Sequence, residues 1–185
     1  WSRDDVVAFA VESQRRAAHA RESGWFDKSV VAVKDENGIP ILERDDFIKA
    51  DTDMQKLGAL KASFAMPGSL GFDAVALAKY PEVEAINHVH TPGNSSGIVD
   101  GASLIMLGSE QAGKDIGLDP RGRVVSIALT ATDPTIMLTG PVPVTHKILE
   151  DNGMAISDID LFEVNEAFAS VVLRFMQAFD VDHVR

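Results

Sequence analysis

Asp158-Ile159-Asp160-Leu161-Phe162-Glu163-Val164-Asn165-Glu166-Ala167-Phe168-Ala169 is the stretch that decides the fold class. Residues 160–164 are β-prone and largely apolar, and they read as a short strand. Asn165 follows, a residue that suits the first position of a helix because its side chain can accept from free backbone N–H groups. Beyond it, Ala167 to Phe179 keeps apolar residues at helical spacing. A strand feeding directly into a helix is the repeating unit of an α/β protein.

The same alternation extends upstream. Residues 102–107 form an apolar run read as a buried strand, and Ser109 is placed to cap a helix ending near Gly117. Residues 124–129 read as a second buried strand. A loop over 132–140 then leads into a helix with Pro141 or Pro143 in its first turn, where proline is tolerated. Asn152-Gly153 stops that helix.

Nearer the N-terminus, Ser2 with Asp5 three residues on resembles a capping box, and the helix it opens ends at Gly24. Asn37-Gly38 between residues 30–33 and 39–42 predicts a hairpin. Leu57, Leu60 and Phe64 repeat at three and four, predicting a helix over 54–64. Residues 65–71, rich in Gly and Pro, read as a loop, 74–80 as a helical turn or two, and 85–90 as a strand. No repeat or low-complexity segment is visible.

Composition bounds the function. The 185 residues are 45% hydrophobic and 24% charged, enough apolar material for a sizeable core. With 17 Lys plus Arg against 28 Asp plus Glu, the formal charge is −11. That balance argues against sequence-independent nucleic-acid binding, which needs cations for the phosphates. No apolar run reaches the roughly 18 residues of a spanning helix, and the N-terminal residues show no signal pattern. With no cysteine, the chain offers neither a disulfide nor a thiol nucleophile.

Three features are candidates for chemistry. His88-x-His90 puts two imidazoles on one face of the expected strand, yet two ligands make an incomplete metal site and no third stands at telling spacing. We therefore assign no metal, and read His19, His146 and His183 as isolated surface residues. Gly93-Asn94-Ser95-Ser96-Gly97 could expose successive N–H groups to an anion, although such runs also make plain turns. Asn165-Glu166 at a strand-to-helix junction either caps the helix or aims an amide at a water or a carbonyl. No combination of nucleophile, base and orienter stands out.

These residues also carry a resemblance. The stretch 158–169 resembles the Asn-Glu-Ala-Phe signature of thiolases. Residues 91–102 resemble that family's Ala-Gly-Asn-(Ala/Ser)-Ser-Gly segment, with Pro92 in place of the usual Ala and Val99 in place of the commoner Asn. Residues 133–141 resemble its Asp-Pro-x-x-Met-x-x-Gly-Pro loop, and the opening helix with Ser13-Gln14 and Gly24-Trp25-Phe26 also fits. The matches follow the family's order from Ser2 to about Phe179. Residues 66–90 are longer than in many members and look like the thiolase subunits of fatty-acid oxidation complexes.

The resemblance implies part of a layered αβαβα thiolase fold. Residues 1–92 would be loop-domain segment, 93–118 the end of the N-terminal half and 119–185 the start of the C-terminal half. It implies CoA-dependent cleavage of 3-ketoacyl-CoA or the reverse Claisen condensation. Coenzyme A or acyl-CoA would then be a substrate, with no cofactor bound covalently. By position, Asn165 matches the residue that holds the oxyanion-hole water, and Ser96 the serine near the pantetheine amide. Phe168 and Met137 match the acyl and pantetheine channel, and Leu60 and Phe64 match an apolar pair packing on CoA. Lys49, Lys56 or Lys61 could meet the CoA phosphates, although lysines on helices are commonly just solvated.

The family's nucleophilic Cys lies upstream of the matched region, and its Gly-His-Pro and Cys-Gly-Gly-Gly segments lie downstream. The chain is therefore expected to be a central thiolase fragment, inactive alone. A cytoplasmic homo-oligomer, a dimer or tetramer, is the expected setting, with a fatty-acid oxidation complex as a further expected partner and no nucleic acid. The rival reading is a non-catalytic thiolase-like module that binds CoA or lipid.

Overall fold

A computed structural model describes residues 1–184; Arg185, placed by the sequence in the C-terminal segment, lies outside the described residues. The chain divides into two compact units, Trp1–Ser96 with Asn165–Arg174, and Gly97–Val164 with residues 175–184.

The first unit is organised by helix α1, Arg3–Glu22. The capping box expected at its start is present: the Asp5 N–H donates to Ser2 Oγ, and the Ser2 N–H donates to the Asp5 carboxylate. Ser23 occupies the C-cap, and Gly24 follows with φ +73, the left-handed position that favours glycine. Val6, Val7 and Ala10 are buried on one face of α1, and Val7 and Ala10 pack against Leu57 of α2, Met54–Gly58. The predicted hairpin forms as β1, Val33–Lys34, and β2, Pro40–Leu42, paired antiparallel. Its turn places Gly38 at φ +80, while Asp35 Oδ1 accepts from the N–H groups of Asn37 and Ile39.

Two expectations for this unit fail. The helix expected over 54–64 stops at Gly58, because Leu60 and Phe64 turn toward the segment around residues 90–93 instead of continuing the helix. Residues 65–71, expected as a loop, are helical: α3, Ala65–Pro67, runs through a π-helical turn, Gly68–Phe72, into α4, Asp73–Lys79. Gly71, at φ +115, takes up the kink between them. Pro67 is tolerated because it lies within the first turn.

The second unit holds α5, Glu110–Asp115, capped by Ser109, and α6, Pro141–Asp151, ending at Asn152 with Gly153 at φ +62. Phe162, Phe175 and Phe179 form its aromatic cluster, with ring centroids 5.4 Å and 4.9 Å apart, and His146 of α6 lies 4.7 Å from Phe179. His146 and His19 are exposed, as expected of surface residues, although each has an aromatic neighbour, His19 lying edge-on to Trp25 at 5.3 Å.

The strands expected at 85–90, 102–107, 124–129 and 160–164 do not form ladders among the described residues. A strand is a property of two paired segments, and an apolar run with no partner leaves its N–H and C=O groups unladdered. Leu104, Ile105, Met106 and Leu107 are accordingly exposed, Leu104 at 95%. The helix expected to open at Asn165 begins four residues later, as α7, Ala169–Phe179. Among the described residues no helix is long and apolar enough to cross a membrane.

Candidate functional site

Residues 91–96 and 165–170 meet in the first unit. Thr91 is fully buried and opens a 3-10 turn, Pro92–Asn94, by accepting the Gly93 N–H on Oγ1 at 3.2 Å. Asn94, 2% exposed, closes the turn: its Oδ1 accepts the Thr91 N–H at 2.9 Å, and its Nδ2 donates to the Val89 carbonyl at 3.3 Å. Ser95 Oγ donates to the Thr91 carbonyl, and the Ser96 N–H donates to the Ala167 carbonyl at 2.9 Å. A bridge between Ser95 and Phe168 completes the junction. The N–H groups of Gly93, Asn94 and Ser96 are therefore spent inside the protein, so the anion nest considered for 93–97 is a self-satisfied turn.

Gly93 is there for close packing. A Cβ on it would stand 2.5 Å from Leu57 Cδ2 and 2.7 Å from Leu60 Cδ1. This approach brings Leu60 against the turn. Phe64 meets Phe168 edge-on at 5.8 Å, so Leu60, Phe64, Ser96 and Phe168 gather around one junction. Asn165 is at the same junction. Its carbonyl accepts the Ala167 N–H, and its exposed side chain is not the cap of α7, whose first residue is Ala169. Met137 belongs to the second unit. It is 58% exposed and left-handed at φ 49, with Leu138 left-handed beside it at φ 56. Two successive non-glycine residues in that region hold local strain of about 1–2 kcal/mol each.

The two strand histidines do not act together. His88 Nε2 bonds Asp73 at 2.8 Å, whereas His90 bonds Asn94 Oδ1 through Nδ1 at 3.1 Å and Ser170 Oγ through Nε2 at 2.9 Å. The His90 ring also lies 4.9 Å from Phe168. Burial pushes the His90 pKa below its ordinary value, the Asn94 bond opposes this, and the Arg3 cation adds to the depression. Arg3 donates to the carbonyls of Val89 and Leu60, tying the start of α1 to both loops. Glu166 is half-buried and accepts from Ser13 Oγ at 2.8 Å; burial raises its pKa and the Ser13 bond partly offsets that. Of the lysines, Lys56 is engaged by Asp51 at 2.7 Å, and Lys49 lies over the Phe47 ring with Nζ 3.3 Å from the Asp46 carbonyl.

The linkage of His90 to Asn94 and Ser170 is what the sequence did not disclose. Asn94 alone had a signal, because Thr91 with Asn94 three residues on has capping-box spacing.

The family description "Thiolase, N-terminal domain" matches residues 1–72, and "Thiolase, C-terminal domain" matches residues 118–185. The chain is 36% identical over 175 residues to the 3-oxoadipyl-CoA/3-oxo-5,6-dehydrosuberyl-CoA thiolase of Escherichia coli K12, covering 93% of this chain and 39% of that protein. It is 36% identical to the beta-ketoadipyl-CoA thiolase of Pseudomonas putida over 97% of this chain and 40% of that protein. The 3-ketoacyl-CoA thiolase of Aliivibrio fischeri is also 36% identical, over 91% and 40%. Among solved structures, the Bacillus anthracis acetyl-CoA acetyltransferase superposes with a TM-score of 0.79 at 31% identity, over 98% of this chain and 41% of that one. The chain thus shares the thiolase α/β fold and spans about 40% of the length of the relatives it matches.

Proposed function

This chain belongs to the thiolase family, and on that premise we propose that it supplies the acyl-CoA-binding and oxyanion-hole part of a CoA-dependent 3-ketoacyl-CoA thiolase. The observation that carries the reading is the junction of 91–96 with 165–168. There Ser96, Phe168, Leu60 and Phe64, four of the six residues assigned from the family motifs, come together beside Asn165. In this reading Asn165 holds the water that stabilises the thioester oxyanion, and Ser96 meets the pantetheine amide. Phe168 gives the acyl chain an apolar wall, and Leu60 with Phe64 packs on CoA.

The chemistry is cleavage of a 3-ketoacyl-CoA by CoA, or its reverse. CoA and acyl-CoA are substrates, and no cofactor is held covalently. Two substrate classes are represented among the relatives: 3-ketoacyl-CoA, which would set the protein in fatty-acid β-oxidation, and β-ketoadipyl-CoA, which carries a second carboxylate. We favour the first, because Phe168 and the neighbouring Leu60 and Phe64 are apolar. A cytoplasmic homo-oligomer, or the thiolase component of a fatty-acid oxidation complex, completes the proposal.

A chain without cysteine has no thiol to acylate, so thiolysis by this polypeptide alone is expected to be absent. That absence also favours a second reading, a CoA-binding module without the family's chemistry. Calorimetric titration with acetyl-CoA and acetoacetyl-CoA tests both. Binding weakened by Phe168→Ala supports the junction as the site, and no binding to either ligand overturns it. In an enzyme that joins these residues to a reactive thiol, Asn165→Ala lowers kcat roughly tenfold to a thousandfold, the scale of one oxyanion-hole group. An unchanged kcat would remove Asn165 from that role.

A further inference from the structure

The hydrogen bonds around His90 fix its tautomer without any appeal to function. Asn94 Oδ1 accepts the Thr91 N–H, and Asn94 Nδ2 donates to the Val89 carbonyl, so the amide can be placed only one way round. Its oxygen can only accept, and His90 Nδ1, 3.1 Å away, must therefore carry the proton. Burial keeps the ring neutral at ordinary pH, which leaves a lone pair on Nε2. That lone pair faces Ser170 Oγ at 2.9 Å, so the hydroxyl donates to it. Ser170 is half-buried and stands second in α7, in a first turn whose N–H groups carry the positive end of the helix dipole. Phe168 borders the pair on its apolar side.

We propose that Ser170, His90 and Asn94 form a nucleophile, base and orienter that accept an acyl group from a thioester onto Ser170 Oγ. The geometry is that of a hydroxyl activated by an adjacent imidazole that a third group orients, with an amide in the third place as in Cys-His-Asn sites. Ser170 Oγ bonds to the acyl carbon as its proton passes to His90 Nε2. The C–S bond breaks, and the leaving thiolate takes that proton from the imidazolium. Water then attacks the acyl-serine, giving its proton to His90 Nε2, and the departing Ser170 oxygen recovers it. The net reaction is thioester plus water to carboxylic acid plus thiol. It requires no cysteine and is distinct from thiolysis. The choice of a thioester rests on the thiolase reading; the triad does not.

The test uses the whole chain. It is incubated separately with a fluorophosphonate, with p-nitrophenyl acetate and with acetyl-CoA, and modified serines are mapped by mass spectrometry. Ser170 is expected to be modified by all three, well ahead of the chain's other serines, which serve as controls needing no variant. His90→Gln is expected to slow its modification by about 10²–10⁴-fold, the usual worth of a general base, and Ser170→Ala to abolish it. The ¹⁵N shifts of His90 should report a proton on Nδ1. Modification of Ser170 no faster than of other serines, or a proton on Nε2, overturns the triad, whatever the CoA titration shows. Modification by the ester and the fluorophosphonate without modification by acetyl-CoA overturns the thioester assignment.

Discussion

Replacing Gly68 with alanine sets two opposed effects against each other at one atom. Gly68 has helical dihedrals, φ −56 and ψ −48, and its N–H donates to the Phe64 carbonyl at 2.9 Å, so alanine suits its backbone. On propensity alone the change should stabilise by about 1 kcal/mol. The added Cβ, however, would stand 2.6 Å from both carboxylate oxygens of Asp73 and from His88 Nε2. Those atoms form the 2.8 Å bond that joins the start of α4 to the segment before the functional turn. No carbon fits among them at those distances, so the two side chains must shift, and the bond between them is expected to open. A part-buried hydrogen bond to a carboxylate is worth roughly 1.5–3 kcal/mol, and the side chains are only 19% and 31% exposed. The net expectation is destabilisation by about 1 kcal/mol, or a fall of ~4–8 °C in Tm for a unit of this size. Urea unfolding followed by far-UV circular dichroism measures it. Repeating the substitution in an Asp73→Ala, His88→Ala background removes the clash and should turn the sign, leaving a gain near 1 kcal/mol. A gain in the wild-type background, or the same loss in both, would refute the argument.

Two further outcomes follow from the same unit. Thr91→Val keeps the shape of a fully buried side chain but orphans the Gly93 N–H, and should lower stability by about 1–2 kcal/mol in urea unfolding with little change in m-value. The pH dependence has two opposed parts. Burial depresses His90 below its reference of 6.5, so its contribution to stability is present above that value and lost as pH falls through its folded pKa. Burial raises Glu166 above 4.5, so its contribution is present below that value and lost as pH rises through its folded pKa. The stability advantage of wild type over His90→Gln should therefore shrink between about pH 7 and about pH 5, and a constant difference would contradict the burial of a neutral imidazole.

Sequence and structure agree where the information is local. Ser2 with Asp5, Ser109, Asn37-Gly38 and Asn152-Gly153 each satisfy or release backbone groups within a few residues, and each stands where the sequence puts it. The four unladdered segments are the opposite case. Val124, Val125, Ile127 and Leu129 have the composition of a buried strand, yet composition names no partner, and these side chains stand more than 60% exposed. The helix after Asn165 was misplaced for a related reason. Residues 167 and 168 bridge to 95 and 96, and this long-range pairing takes up backbone that local propensity assigns to the first turn of α7. Among the site residues, Ser96 and Phe168 were legible through motif resemblance. His90 with Ser170 was not, because 80 positions separate the two side chains that share a hydrogen bond.

Asn94 shows why the fold and the chemistry at this junction cannot be separated. Its amide closes the Thr91 turn through one backbone N–H and is itself anchored to one backbone carbonyl. With both ends engaged it cannot flip, and an amide that cannot flip presents His90 with an acceptor only. The imidazole has one neutral state compatible with that acceptor, so the direction of the Ser170 hydroxyl proton follows from a turn four residues from the histidine. An aspartate in the same place would also accept, but it would add a charge to a site where Asn94 is 2% exposed, and an unpaired buried carboxylate is costly. The amide sets the same tautomer without that cost, and it leaves the imidazole less basic than a carboxylate partner would. A ring so placed is neutral and oriented, able to take a proton from Ser170 but slow to hold it, which suits passage of that proton to a leaving thiolate.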